Sequence, residues 1–226
     1  YTTWAALATA LNLGKWKLQA DVLGTFVIEK VRNNVEAPDK SEFSPALIVG
    51  YKPFSNQDLN LRAFYKRIFR LPTFNDLYYA QIGFSQLNPE FTNQFNIGGS
   101  YQKTFKTGMI DRIALQMDVY YAAITDKIIA APTGSSFRWM MTNMGKVESK
   151  GVDVSTAVSG HVGLLKLHTN LAYSFTKAQD FTKINGKKLS SYGDQIPYTP
   201  WHSGSVIAGA EYGTCCLLYT SPSPRD

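Results

Sequence analysis

The chain has 226 residues, 44% of them hydrophobic and 18% charged, with 23 Lys and Arg against 17 Asp and Glu for a formal net charge of +6. The positive residues are scattered, in no run longer than a pair such as Lys187-Lys188, which argues against a phosphate-tracking nucleic-acid stripe. No apolar stretch reaches the roughly 18 residues of a membrane helix. A membrane strand stays open as a reading, because it needs only one apolar face.

In chain order, Trp4–Leu13 reads as a first strand, and Gly14-Lys15 as a turn. Lys15–Phe26 then alternates, with Trp16, Leu18, Ala20, Val22 and Phe26 against Lys15, Lys17, Gln19 and Asp21. A long connection over Glu29–Glu42 leads to a strand at Phe43–Lys52 and a short turn at Pro53–Asp58. In Leu59–Lys66, Leu59, Leu61, Ala63 and Tyr65 oppose Asn60, Arg62 and Lys66, and the strand runs on toward Ile68. The long loop Phe69–Glu90 follows, then a strand at Phe91–Lys103 and a short turn at Thr104–Asp111. Arg112–Tyr121 places Ile113, Leu115, Met117, Val119 and Tyr121 on one face. Ala123–Met144 is expected as another long connection. In the strand Gly145–Ser155, Val147 and Val152 differ in phase, which predicts a β-bulge at Lys150-Gly151. A short turn at Gly160–Gly163, the strand Leu165–Tyr173, the long connection Lys177–Ile196 and the strand His202–Tyr212 complete the pattern.

Such alternation is that of strands with one apolar and one polar face, not of a helix with apolar spacings of three and four. Roughly nine strands of about ten residues result, the length that a tilted membrane strand needs. Short and long connections alternate, so all the long ones share one end, as in an outer-membrane barrel with short turns inside and long loops outside. Aromatics make up 13% of the chain, and Tyr51, Tyr101, Tyr120, Tyr121, Tyr173, Phe175 and Tyr212 lie near strand ends, where a membrane girdle would place them.

The sequence supplies no catalytic constellation and calls for no metal or cofactor. His161, His168 and His202 sit on separate segments without the spacing of a helical metal pair. Asp153, Asp180 and Asp194 are too scattered for a calcium loop, and Gly98-Gly99 lacks the helix that a phosphate loop requires. The two cysteines, Cys215 and Cys216, are adjacent and make a poor ligand pair.

Four motifs in order resemble one family. Phe69-Arg70, Pro72 and Asp76-Leu77-Tyr78, closed by Asn88-Pro89-Glu90, are similar to its "FR-x-P-x-x-x-D-L-Y" and "NPE" segments. Asp118-Val119-Tyr120-Tyr121 with Thr125–Ile129, Asn143–Val154, and Ile196–Pro200 resemble its "YY" hairpin, its "N-x-G-x-V-x-x-x-G-V-E" strand and its "IPYTP" strand entry. Asp153 stands where Glu is commoner, and the "NPE" run lacks the more usual Lys. The chain thus resembles the TonB-dependent outer-membrane receptors, in the form found in Bacteroides-like bacteria, over most of Trp4–Tyr212.

The resemblance implies an all-β fold: an antiparallel transmembrane β-barrel wall, part of a plugged barrel of about 22 strands. It implies uptake of a scarce ligand (ferric siderophore, cobalamin, haem or glycan) through the outer membrane of a Gram-negative bacterium. Energy would come from a TonB complex acting on a plug upstream of this segment. Residues 1–214 are read as partial barrel. Residues 215–226 are read as non-native, because Cys216–Asp226 matches one reading frame of a common transposase sequencing adapter; the alternative is a short Pro/Ser tail. Candidate ligand contacts on the long loops are Tyr78, Tyr79, Phe84, Arg138, Trp139 and Tyr192, since aromatic and Arg side chains are common binding anchors. Arg70, Asp76 and Glu90 are expected to form a polar network at a loop base rather than to touch ligand, because charge inside such a wall needs a partner. The rivals are a passive porin-like or structural barrel, and a barrel enzyme, which would need a catalytic cluster on the rim.

Overall fold

The computed structural model describes residues 1–28, 30, 38–79, 82–132, 139–184, 187–188, 190–213 and 215–222. Eight consecutive strands come first: β1 (Thr2–Leu13), β2 (Trp16–Val27), β3 (Lys40–Tyr51), β4 (Asp58–Arg70), β5 (Glu90–Thr104), β6 (Ile110–Pro132), β7 (Trp139–Val162) and β8 (Leu165–Asp180). A one-turn helix, α1 (Phe74–Tyr78), lies between β4 and β5. A small ribbon, β9 (Lys183–Ile184) with β10 (Lys187–Lys188), precedes β11 (His202–Tyr212) and β12 (Cys215–Pro222). Ten of these strands form one antiparallel sheet in the order β1-β2-β3-β4-β5-β6-β7-β8-β11-β12, open at β1 and β12. The fold is all-β, as the alternating pattern predicts. The tenth strand, β12, falls in the segment read from sequence as non-native, and it pairs along β11 from Tyr212↔Cys215 to Ser205↔Pro222.

The register sorts the side chains into two faces, because successive residues of a strand point opposite ways. One row runs Val49↔Ala63↔Ile97↔Val119↔Val152↔Phe175 across six strands. It stands with Leu61, Met117, Val154 and Tyr173 on a face that is apolar and uncovered, Ile97 being 71% exposed. The opposite face carries Arg62, Gln116, Asp118, Ser155 and Asn170.

Glycines on that polar face let side chains cross from one strand to the next but one. Arg62 of β4 reaches over Gly98 of β5 to Asp118 of β6, at 2.6 Å from Nη2 to Oδ2, between residues 56 apart in the chain. A Cβ on Gly98 would collide with the Asp118 carboxylate. Tyr120 of β6 likewise crosses Gly151 of β7 to lie 3.0 Å from Thr176 Oγ1 on β8. A Cβ on Gly151 would stand 2.6 Å from the Tyr120 hydroxyl.

Four expectations are corrected. No bulge interrupts Lys150-Gly151, which pair continuously with Tyr121 and Tyr120 and with Lys177 and Thr176. Glu148, Lys150, Val152 and Val154 share one outward face whose surroundings change from polar to apolar; the strand does not slip. The register shift lies instead between Ile110 and Arg112, where Asp111 is the extra residue and its Oδ1 sits 2.7 Å from His161 Nδ1. Tyr120 is no girdle residue, since it faces the polar side. The turn expected at Gly160–Gly163 is tighter: β7 continues to Val162 and pairs with Leu165, with Gly163 at φ 61 in the first position of a two-residue hairpin loop. Finally, Ala123–Met144 is mostly not loop. β6 and β7 run on as a paired ribbon to Pro132↔Trp139. Ile128 and Met141 find apolar cover there from the preceding loop, which is what sustains strands beyond the wall.

Candidate functional site

The long connections gather at the end of the sheet where this ribbon projects. Pro72 removes a backbone donor and ends β4. Thr73 then caps α1: its Oγ1 accepts from Asp76 N at 3.2 Å, and Asp76 Oδ2 accepts from Thr73 N at 2.8 Å, a closed capping box. Arg70, at the top of β4, donates to Asp76 Oδ2 at 3.2 Å and to Glu90 Oε2 at 3.5 Å. Glu90 faces Arg70 directly across the strands and also accepts from Ile128 N at 3.1 Å. Arg70 thus reaches both carboxylates, and Glu90 adds a bond to the ribbon.

The loop is bound to the ribbon by more than charge. Asn143 of β7 donates to Asn88 O at 3.1 Å and to Asp126 O at 2.6 Å, while its Oδ1 accepts from Asn88 N at 2.9 Å. Met141 N donates to Ile82 O at 2.7 Å. Under these bonds lies a small core of Leu77, Leu87 and Ile128, with Tyr78 and Met141 packed against it; Leu87 is only 2% exposed. Each such side chain stabilises the assembly by about 1.5–3 kcal/mol on burial. Asn143, Asn88 and Ile128 were not singled out as site residues from sequence. The quoted motifs contain all three, but the pairing 55 residues apart is visible only in the register.

The candidate ligand contacts divide. Tyr78 is half-buried in this core, its ring 5.1 Å from that of Phe74. Tyr79 and Phe84 are exposed on the same loop, held by the bonds Tyr79 N to Asn75 O at 3.2 Å and Phe84 N to Asp76 O at 2.9 Å. Trp139 is exposed on the ribbon, two positions before the Met141 that binds the loop. Tyr192 belongs to another connection, between β8 and β11. Its ring meets Phe181 edge-on at 5.4 Å and Lys188 Nζ lies 4.4 Å from its centroid. Arg138 lies outside the described residues.

Beside Tyr192, Lys146 Nζ lies 2.6 Å from Glu148 Oε1. The bond from Lys146 holds the Glu148 carboxyl below its ordinary value, and the same bond raises Lys146. Among the described residues no group of three or more His, Cys, Asp or Glu side chains could hold a metal. What the described residues offer here is exposed aromatic surface on a braced base.

Residues 1–217 match the family described as TonB dependent receptor-like, beta-barrel. The chain belongs to the TonB-dependent receptor family. Part of this receptor chain is also 29% identical, over 86 residues, to a vitamin B12 transporter, BtuB, of Vibrio vulnificus strain YJ016, covering 38% of this chain and 13% of that protein. Among solved structures it is similar to the copper transporter OprC, with a TM-score of 0.64 and 16% identity over 93% of this chain and 32% of that one. It is also similar to the FrpB iron transporter of Neisseria meningitidis in its apoprotein form, with a TM-score of 0.60 and 14% identity over 93% of this chain and 31% of that one. At such identities the two structures speak for the fold. The receptor chain spans about a third of their length, and it is a barrel wall in a family of receptors and transporters. No helix among its described residues is long and apolar enough to cross a membrane, which says nothing of strands.

Proposed function

We propose that this wall belongs to an outer-membrane receptor that takes up a scarce small ligand with energy supplied by a TonB complex. The family match over residues 1–217 is the observation that carries the reading. The uncovered apolar row through Ile97 and Val119 supports a lipid-facing, multi-pass location in the outer membrane of a Gram-negative cell. The name of the Vibrio relative, a vitamin B12 transporter, supports cobalamin as a first ligand to try, and the iron and copper transporters support metal chelates such as ferric siderophores as the second. Haem and glycans complete the set. Tyr79, Phe84 and Trp139 are the exposed rings we assign to ligand contact; Arg138 and, on a separate connection, Tyr192 remain candidates from the sequence, and Tyr78, Arg70, Asp76 and Glu90 hold the base of the first loop. Residues 1–214 are the wall in this reading, with 215–226 left aside.

A passive barrel finds no specific observation in its favour. The test is uptake of labelled cobalamin, ferric siderophore, haem and glycan by cells with and without the gene. Loss of one ligand's uptake, and the same loss on deleting TonB, is the expected result. Uptake of all four unchanged by the deletion overturns the reading.

A further inference from the structure

The outward face changes character abruptly at one corner. Going up β7 and β8 toward the long connections, the rows read Val154↔Tyr173, then Val152↔Phe175, then Lys150↔Lys177, then Glu148↔Gln179, with Lys146 and Phe181 above, joined by Phe181 N to Lys146 O at 2.7 Å. Lys150 and Lys177 thus stand directly opposite across strands, an arrangement of like charges that weakens a sheet unless an anion sits between them. Neither makes an ion pair among the described residues. Lys177 rests on Trp201, its Nζ 5.5 Å from the ring centroid. Lys183 and Lys188 flank Tyr192 at 5.9 Å and 4.4 Å. Lys146, Glu148, Phe181, Lys183 and Tyr192 line a shallow depression of about 360 Å³. Glu148 is the one carboxylate in these rows, and it is already engaged by Lys146.

The other end of the same two strands differs. Its outward rows are Val158↔Thr169, Gly160↔Leu167 and Val162↔Leu165, with no charge at all. At the same level on β4 and β5 the outward face carries Tyr65, Phe95, Phe69 and Phe91, with Arg67 lying over the Phe91 ring. On β7 and β8 the positive patch therefore stands at one end and is continuous with the apolar face below it.

We propose that the outward face formed by Lys146, Lys150 and Lys177, with Lys183 and Lys188 of the neighbouring ribbon around Tyr192, binds the phosphate groups of an anionic lipid headgroup in the leaflet beside the long connections. The occupant is argued from charge complementarity and from continuity with the lipid-facing rows: a headgroup whose acyl chains pack on Val152 and Val154 brings its phosphates to the height of Lys150 and Lys177. This rests on the reading above that the apolar face meets an outer membrane.

The complete protein is first fractionated from cells. Failure to cosediment with outer membranes refutes that earlier reading. The wild-type protein in detergent is then titrated with diphosphoryl lipid A, with the same lipid dephosphorylated, and with inorganic phosphate. Strong binding of the first alone is expected. Equal binding of the dephosphorylated lipid, or full competition by inorganic phosphate, overturns the proposal. Lys150→Gln with Lys177→Gln is expected to weaken binding of diphosphoryl lipid A by roughly fivefold per lysine removed. Unchanged affinity in that variant, with heat-modifiable migration showing a folded barrel, also overturns it. The wild-type titration stands by itself should the variant fail to fold.

Discussion

In the wall, Ile97 and Val119 turn outward uncovered, whereas above it Leu87 and Ile128 are buried between a loop and a ribbon. The wall borrows its apolar phase from whatever surrounds it, so its stability depends on that solvent. The loop and ribbon make a core of their own. The difference explains why short-range alternation suffices for one region, while the other needs a capping box, a carboxylate pair and an asparagine clasp.

The comparison breaks most visibly at the outward face. Val119→Arg is expected to destabilise the complete protein by about 2–4 kcal/mol in lipid, read as urea unfolding in vesicles. It should leave loop protection intact, and an unchanged midpoint would mean that this face does not meet lipid. Leu87→Ala should act on the other region. A loss of about 2–3 kcal/mol is expected in the loop core, seen as faster amide exchange over 73–90 and 124–143 while β4 and β5 below stay protected. Global unfolding of the wall by this change would show that the two regions are one cooperative unit.

Asn143→Ala removes three bonds at the junction and should cost about 1–2 kcal/mol of local protection at Asn88 and Asp126. Thr73→Ala removes the helix cap and is worth about 1 kcal/mol, confined to α1. The smallest effect concerns Lys146 and Glu148, half-exposed and worth less than about 1 kcal/mol. Glu148 has a depressed value, so its contribution is present above its ordinary 4.5 and fades as pH falls through the lowered one. Lys146 is raised, so its contribution is lost only as pH rises through the raised value, above 10.5. Amide exchange at Lys146 and Glu148 across acid pH, with Glu148→Gln as the pH-insensitive control, measures it.

Legibility in the sequence followed the same division. Alternation in Arg112–Tyr121 and Leu165–Tyr173 located β6 and β8, because one-sided burial leaves a period of two that needs no partner to be seen. The ribbon beyond Tyr121 escaped, because Ile128 and Met141 are buried by a loop some 40 residues upstream, and no local pattern records that. The supposed bulge at Gly151 came from reading a change of surroundings as a change of face. Pro72, Asp76 and Glu90 were informative as a motif, and their contacts explain it. Tyr192 was picked out as an aromatic side chain on a long loop, but its lysine neighbours come from the ribbon of β9 and β10, which sequence reading left as loop.

The crossings over Gly98 and Gly151 bear on the shape of the wall itself. In each, one side chain spans three strands and is fixed at both ends, Arg62 to Asp118 and Tyr120 to Thr176. Such a span ties two strands to each other across a third. Its length sets how far the outer two strands fold toward each other over the middle one. The spacing of next-but-one strands is thereby tied to the reach of an arginine and of a tyrosine, and Arg62→Lys or Tyr120→Phe is expected to loosen that tie without removing a single backbone hydrogen bond.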